Sequence, residues 1–245
     1  PLHRQGVSIR ADVTYLITGG LGGLGLASAR WLAEEGARHL LLVGRSAPRA
    51  EAQAQLQALA ELGVQVTVAQ ADVTDRTQLR AVLGQIDARC PLAGVIHSVG
   101  VLDDGALLQQ RWERFVPVLA PKLQGAWNLH ELTAELPLEF FVLFSSIAGL
   151  FGSRGQANHA AANAFLDSFA HYRRQQGLPA LSINWGPWSE IGAAAGLVRS
   201  AARPLAEQGL GAIDPAQGIA SFAWLLSQPW RAARRRRRIA QAPFP

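Results

Sequence analysis

Methionine is absent from the 245 residues, cysteine and lysine occur once each, and there are only two tyrosines. The lone cysteine, Cys90, cannot close an internal disulfide, which fits a reducing compartment. It reads as a small buried hydrophobe. No apolar run approaches the roughly 20 residues that a spanning helix needs, and the N-terminus carries no signal-peptide pattern. A cytoplasmic protein without a membrane partner is expected. A chain that starts at Pro1 and has no methionine is expected to be a piece of something longer. Charge is sparse too: 17% of residues are charged against 49% apolar, so a sizeable core can be buried and a disordered chain is excluded. The formal net charge of +5 invites a nucleic-acid partner. Arg234 to Arg238 alone supply five positive charges, however, and the remaining chain is close to neutral. A solvated tail is the better reading, with no nucleic acid bound.

What is present is a rhythm. Short β-rich apolar runs at 13–18, 37–43, 64–69, 94–97, 140–145 and 180–185 alternate with helical patterns at 24–35, 51–62, 77–86, 111–132 and 158–176. A final helix fits 216–227. The strand runs are continuously apolar rather than alternating, as when helices cover both faces of a sheet. The expected fold is α/β, a Rossmann-type doubly wound parallel sheet with helices on both faces. Residues 1–12 read as a linker, 13–230 as one dinucleotide-binding domain and 231–245 as a basic tail of little order. The small residues at 191–196 suit a lid over a ligand.

Thr18-Gly19-Gly20-Leu21-Gly22-Gly23-Leu24-Gly25 joins the first strand to the first helix. Glycines there let the backbone turn tightly and bring its N–H groups against a pyrophosphate, and the positive end of the helix adds to the attraction. A purely structural turn is the alternative. NAD binders place a carboxylate after the second strand for the ribose 2′-hydroxyl. This chain has Gly44-Arg45-Ser46 instead, where Arg45 can pair with a 2′-phosphate and Ser46 can hydrogen-bond it. NADPH is the expected cofactor, a surface arginine the alternative. Asp72-Val73 follows the third strand, where a carboxylate can accept from an adenine amino group. His97 and Ser98, at the fourth strand's end, fall near the nicotinamide pocket, with His97 as readily packed as functional. Asp103 and Asp104 lack a third ligand at metal spacing, so a loop is expected and no metal. Trp185 and Trp188 follow a strand end, lining the pocket mouth or packing in the core.

Several of these stretches together resemble the ketoreductase domain of a modular polyketide synthase, within the short-chain dehydrogenase/reductase superfamily. The resemblance rests on Thr18 to Gly25, Ala71-Asp72-Val73-Thr74-Asp75, Val101-Leu102-Asp103-Asp104-Gly105 and Pro121-Lys122. It continues through Leu143-Phe144-Ser145-Ser146, Gly155-Gln156-Ala157-Asn158, Ala160 to Asp167, and Asn184-Trp185-Gly186-Pro187-Trp188, all in order. It implies an NADPH-dependent oxidoreductase that reduces a β-ketoacyl chain on acyl carrier protein, beside other domains of a synthase. In that family a serine and a tyrosine hydrogen-bond the ketone oxygen, a lysine holds the nicotinamide ribose, and an asparagine anchors a relay water. By motif position these are Ser146, Lys122 and Asn163, and the only lysine of the chain falls on the lysine position. Leu102-Asp103-Asp104 fits the pattern that goes with a D-configured, B-type alcohol, and Phe151 stands where the opposite type shows a tryptophan.

The tyrosine position is occupied by His159: the pattern N-Y-A-A-A-N is here Asn158-His159-Ala160-Ala161-Ala162-Asn163. Tyr15 lies in the first strand and Tyr172 about three turns along the helix, so neither substitutes. An imidazolium (pKa ~6.5) is a better acid than a phenol (~10). Imidazole is shorter, though, and a misplacement of about 1 Å can cost roughly 100-fold. A Lys122 ammonium would also drive it toward the neutral form. The outcomes that stand open are a working proton donor, a weak or inactive reductase, a changed chemistry, or a sequence change made by an experimenter. The function classes are therefore an NADPH-dependent reductase and a reductively inactive, cofactor-binding scaffold domain of a synthase. The family's preceding structural subdomain and its last strand, expected near 231–238, are not visible in the sequence.

Overall fold

A computed structural model describes residues 7–192 and 211–228. Six parallel strands form one sheet in the order β3-β2-β1-β4-β5-β6. They are β1 Thr14–Thr18, β2 His39–Gly44, β3 Gln65–Gln70, β4 Leu92–His97, β5 Phe140–Ser146 and β6 Leu181–Trp185. The helices are α1 Gly23–Glu34, α2 Ala50–Glu61, α3 Arg76–Leu83, α4 Trp112–Thr133, α5 Ala148–Phe151, α6 Ala157–Gln175 and α7 Pro215–Leu226.

Neighbouring residues of a strand point to opposite faces, and both faces are covered. Tyr15, Ile17, Leu40, Leu42, Phe140, Val142 and Phe144 pack with Trp31 of α1 and Phe222 of α7. Leu16, Leu41, Val43, Val95, Phe141 and Leu143 pack on the other side with Leu79, Leu129, Leu166 and Phe169 of α3, α4 and α6. That is why the inner strands read as apolar runs, whereas the edge strand β3 carries Gln65, Thr67 and Gln70 exposed. The chain leaves β1 for β2 and β3 on one side, then crosses back to place β4 on the other. A crevice opens outside the strand ends at such a switch point.

The expected architecture is present, with local shifts. Ala37 donates its N–H to Leu32 and ends α1 through Gly36 at φ 110°, so β2 starts at His39. Leu92 already pairs with Thr14, which lengthens β4. Gly84 caps α3, leaving Ile86 in a turn. The short α5 was not foreseen. Cys90 corrects the sequence reading: it is half-buried, with Sγ 3.3 Å from His39 Nε2. It lines a hollow of about 380 Å³ with Thr14, Thr67 and Asp87, at the opposite end of the strands from the glycine turn. No helix among the described residues is long and apolar enough to cross a membrane. Most of the expected lid (193–196), the last strand and the arginine-rich tail lie outside the described residues.

Candidate active site

The glycine turn sits at the crevice. Gly19 has φ +70°, and a Cβ there would lie 2.8 Å from the Ser98 carbonyl oxygen. A Cβ on Gly25 would lie 2.3 Å from the Gly19 carbonyl oxygen. Those two glycines serve close backbone packing. Gly22 is different: its Cβ would meet only the Gly19 oxygen, at 3.3 Å. The first turn of α1 has no side-chain cap and no acidic residue, so its N–H groups and positive end remain available to an anion. Ile191 and Gly192 lie against Gly23 and Leu24, so the start of the expected lid does touch this turn.

Along the crevice, Arg45 lines a hollow of about 400 Å³ with Gln70, Ala71, Asp72 and Gln78, and Ser46 follows it. Asp72 Oδ1 accepts from the N–H and hydroxyl of Thr74, leaving Oδ2 for a ligand. The carbonyl of Val73 accepts from Asn128 Nδ2 at 2.9 Å. Asn128, buried on α4, thus fixes the Asp72–Val73 turn. A lone asparagine in a helical pattern carries no signal of that role.

Ser146 ends β5. Its Oγ accepts the Ala148 N–H at 3.2 Å, leaving the hydroxyl hydrogen free to donate. Lys122 projects from α4, buried, and its Nζ donates to the Phe144 carbonyl at 2.8 Å. Burial pushes the ammonium down to about 8, with Asp167 opposing. His159 lies in the first turn of α6. Burial first, and then the charge of Lys122, push its imidazole down to about 4, so it is neutral at neutral pH. Asn163, one turn on, donates from Nδ2 to the His159 carbonyl at 2.8 Å. His159 Nδ1 and Asn163 Oδ1 are both buried without a protein partner. Buried polar atoms are normally paired, so these two are the groups the site offers a ligand.

His97 is wholly buried and held near 3, chiefly by burial. Neutral, it donates from Nε2 to the Pro121 carbonyl at 3.1 Å and accepts at Nδ1 from Thr18 Oγ1 at 2.7 Å. Both nitrogens are used, so the packed alternative describes its side chain: it ties the glycine turn to the residue before Lys122. Ser98 Oγ donates to the Thr18 carbonyl. Trp185 packs edge-to-face on Phe144, and Trp188 edge-to-face on Trp185, both buried. They belong to the core and not to a pocket mouth. Asp103 is held by Arg114, and Asp104 by Gln156 Nε2 at 3.1 Å. Asn158 donates to the Asp103 and Arg114 carbonyls at 2.9 and 3.0 Å. The acidic pair is thus a clasped loop over the start of α6. Arg114, which the sequence did not single out, and Asn158 hold this loop in place.

A family model described as the KR domain matches residues 13–190. The chain belongs to the KR family. The KR domain is 50% identical over 219 residues to Polyketide synthase GfsB of Streptomyces halstedii, covering 88% of this chain and 4% of that protein. It is 45% identical over 228 residues to Mycoketide-CoA synthase of Mycobacterium tuberculosis, covering 91% and 6%. Among solved structures it resembles an A1-type ketoreductase at 39% identity and TM-score 0.86, covering 93% of this chain and 47% of that one. The first ketoreductase of the tylosin PKS aligns at 39% identity and TM-score 0.77, covering 91% and 48%. The chain therefore spans about half of the solved ketoreductases and a small fraction of the curated synthases.

Proposed function

We propose that this KR domain binds NADPH and is built to reduce the ketone of a β-ketoacyl thioester carried on acyl carrier protein, in the cytoplasm, within a multidomain polyketide synthase. The observation that carries the reading is that His159 and Asn163 of α6 each keep a buried polar atom without a partner, with the Lys122 charge acting on His159 and Lys122 bonded to β5 two residues before Ser146. The residues fit the cofactor. The open first turn of α1 suits the pyrophosphate, Arg45 and Ser46 a 2′-phosphate, Asp72 the adenine amino group, and Lys122 the nicotinamide ribose. NADPH, when bound, supplies a hydride to the ketone carbon. Ser146 then donates a hydrogen bond to the ketone oxygen as negative charge develops there. Asn163 Oδ1 accepts from a water in the proton path, and the proton that completes the alcohol has to come through His159. The Leu102-Asp103-Asp104 segment, clasped by Arg114 and Gln156, supports a B-type product.

One observation favours a second reading, a cofactor-binding domain that does not reduce. His159 is neutral at working pH, so the proton donor is largely uncharged. Two measurements separate the readings. Fluorescence titration with NADPH and NADH tests the cofactor site, with tighter NADPH binding expected. NADPH consumption with a β-ketoacyl N-acetylcysteamine thioester tests turnover. Absent NADPH binding by the folded chain would sink both readings.

A further inference from the structure

Asp167 lies on α6, one turn beyond Asn163, half-buried. Its two carboxylate oxygens are both engaged by β6: Oδ1 accepts from Ser182 Oγ at 2.5 Å and Oδ2 from Asn184 Nδ2 at 2.7 Å. The same Asn184 amide donates its other hydrogen toward β5, shared between the Ser146 carbonyl at 3.2 Å and Ser145 Oγ at 3.3 Å. Ser145 Oγ closes the ring by donating to the Asn163 carbonyl at 3.1 Å. A carboxylate that accepts two side-chain donors is locked in orientation, and charge-assisted bonds are the stronger kind. The ring joins the ends of β5 and β6 to the helix that carries His159 and Asn163.

The same carboxylate faces a charge problem. Lys122 is buried, and a buried ammonium is disfavoured unless an opposite charge is near. The groups that face it are His97 from β4, the Phe144 carbonyl from β5, and His159 and Asp167 from α6. Both imidazoles are held neutral, so Asp167 is the one carboxylate acting on Lys122 among the described residues.

We propose that Asp167 is a positioning residue of this site: tied to Ser182 and Asn184, it fixes the strand end that bears Ser146 and sustains the positive charge of Lys122. The inference rests on the reading that Ser146 and Lys122 work together, yet its test needs neither cofactor nor turnover. Because the chain has a single lysine, 13Cε-lysine labelling gives one resonance whose pH titration reports Lys122 alone. The unaltered chain is expected to titrate near 8. Asp167→Asn, which removes the charge and keeps the shape, is expected to move the midpoint down, and Asp167→Glu to restore it. A purely structural role would leave the midpoint of a folded Asp167→Asn chain unchanged, and that result overturns the proposal. Should the asparagine variant not fold, the unaltered chain still decides. Interaction between two sites is reciprocal, so the Asp167 13Cγ signal has to shift as Lys122 titrates, and a flat signal overturns the proposal equally. Loss of reduction with the titration as expected would count against the functional reading only.

Discussion

Replacing His159 with tyrosine is the perturbation on which the reductase reading turns, and its size can be worked from the site. With its imidazole held at about 4, His159 is charged in only about one molecule in a thousand at pH 7. That is a protonation cost of about 4 kcal/mol, at 1.36 kcal/mol per pH unit. The cost arises because burial disfavours the imidazolium and the Lys122 ammonium repels it. A phenol carries its proton at neutral pH, and the same ammonium favours the phenolate that forms as the proton leaves. General acid catalysis contributes roughly 100- to 10,000-fold. His159→Tyr is therefore expected to raise turnover of a β-ketoacyl N-acetylcysteamine thioester by on the order of 100-fold or more, read as NADPH absorbance loss. NADPH affinity should change little, because the glycine turn and Arg45 are untouched. The histidine chain should also speed up as pH falls from 7 toward 4, where the imidazolium becomes populated. A folded, NADPH-binding tyrosine variant no faster than the histidine chain would refute the reasoning, and so would a histidine chain that already turns over at a tyrosine-like rate at pH 7.

Other perturbations test the surrounding frame. Arg45→Ala should weaken NADPH by roughly 10- to 100-fold, as expected for loss of a hydrogen bond to a charged group worth about 1.5–3 kcal/mol, and leave NADH unchanged in a fluorescence titration. Gly25→Ala, whose Cβ would press on the Gly19 carbonyl at 2.3 Å, should lower the thermal midpoint and NADPH affinity together. Asn158→Ala removes donors from two carbonyls and should destabilise the fold by about 1–3 kcal/mol in urea. His97 and His159 are both depressed, to about 3 and about 4, so the unfolded chain takes up protons before the folded one. Their contribution to stability is complete above about pH 6.5 and is lost as pH falls through the folded values. Thermal midpoints should therefore fall steeply below pH 6.5, and His159→Gln should flatten that slope between 6.5 and 4.

The fold was legible because its signals are local and repeated. The apolar runs marked every strand to within two residues at either end, and the turn Thr18 to Gly25 announced the crevice. Ser146, Lys122 and Asn163 were picked out by motif position, and they stand at the end of β5, on α4 and on α6. What escaped the sequence was set by partners distant along the chain. His97 sits at a site-facing strand end, but only the Thr18 hydroxyl and the Pro121 carbonyl show that both its nitrogens are occupied. Trp185 and Trp188 have the same aromatic character whether they line a mouth or fill a core; Phe144 decides it. Asn128 and Asn158 bond to backbone carbonyls, which no side-chain pattern in the sequence marks, and Arg114 finds Asp103 only through the fold of the loop between them. Cys90 was misjudged because composition says a lone thiol is buried, whereas its neighbour at the strand edge is His39.

The site's electrostatics give the histidine substitution its meaning. Lys122 and His159 are both buried, and the charge of Lys122 adds to burial in keeping the imidazole neutral. Around a tyrosine the arrangement is cooperative, because a cation lowers the energy of the phenolate left after proton donation. Around a histidine it opposes the chemistry, because the donor has to be a cation beside a cation. Asp167 cannot relieve both at once. By sustaining the charge of Lys122 it strengthens the repulsion His159 must overcome. Neutralising Lys122 would ease protonation of His159 while removing the ammonium from the ribose site. Lys122→Met on the histidine background should thus raise the His159 midpoint above about 4 in an NMR titration and still fail to restore reduction. If reduction rises instead, the lysine is an obstacle here and not a support, and the proton path in this KR domain differs from the one argued above.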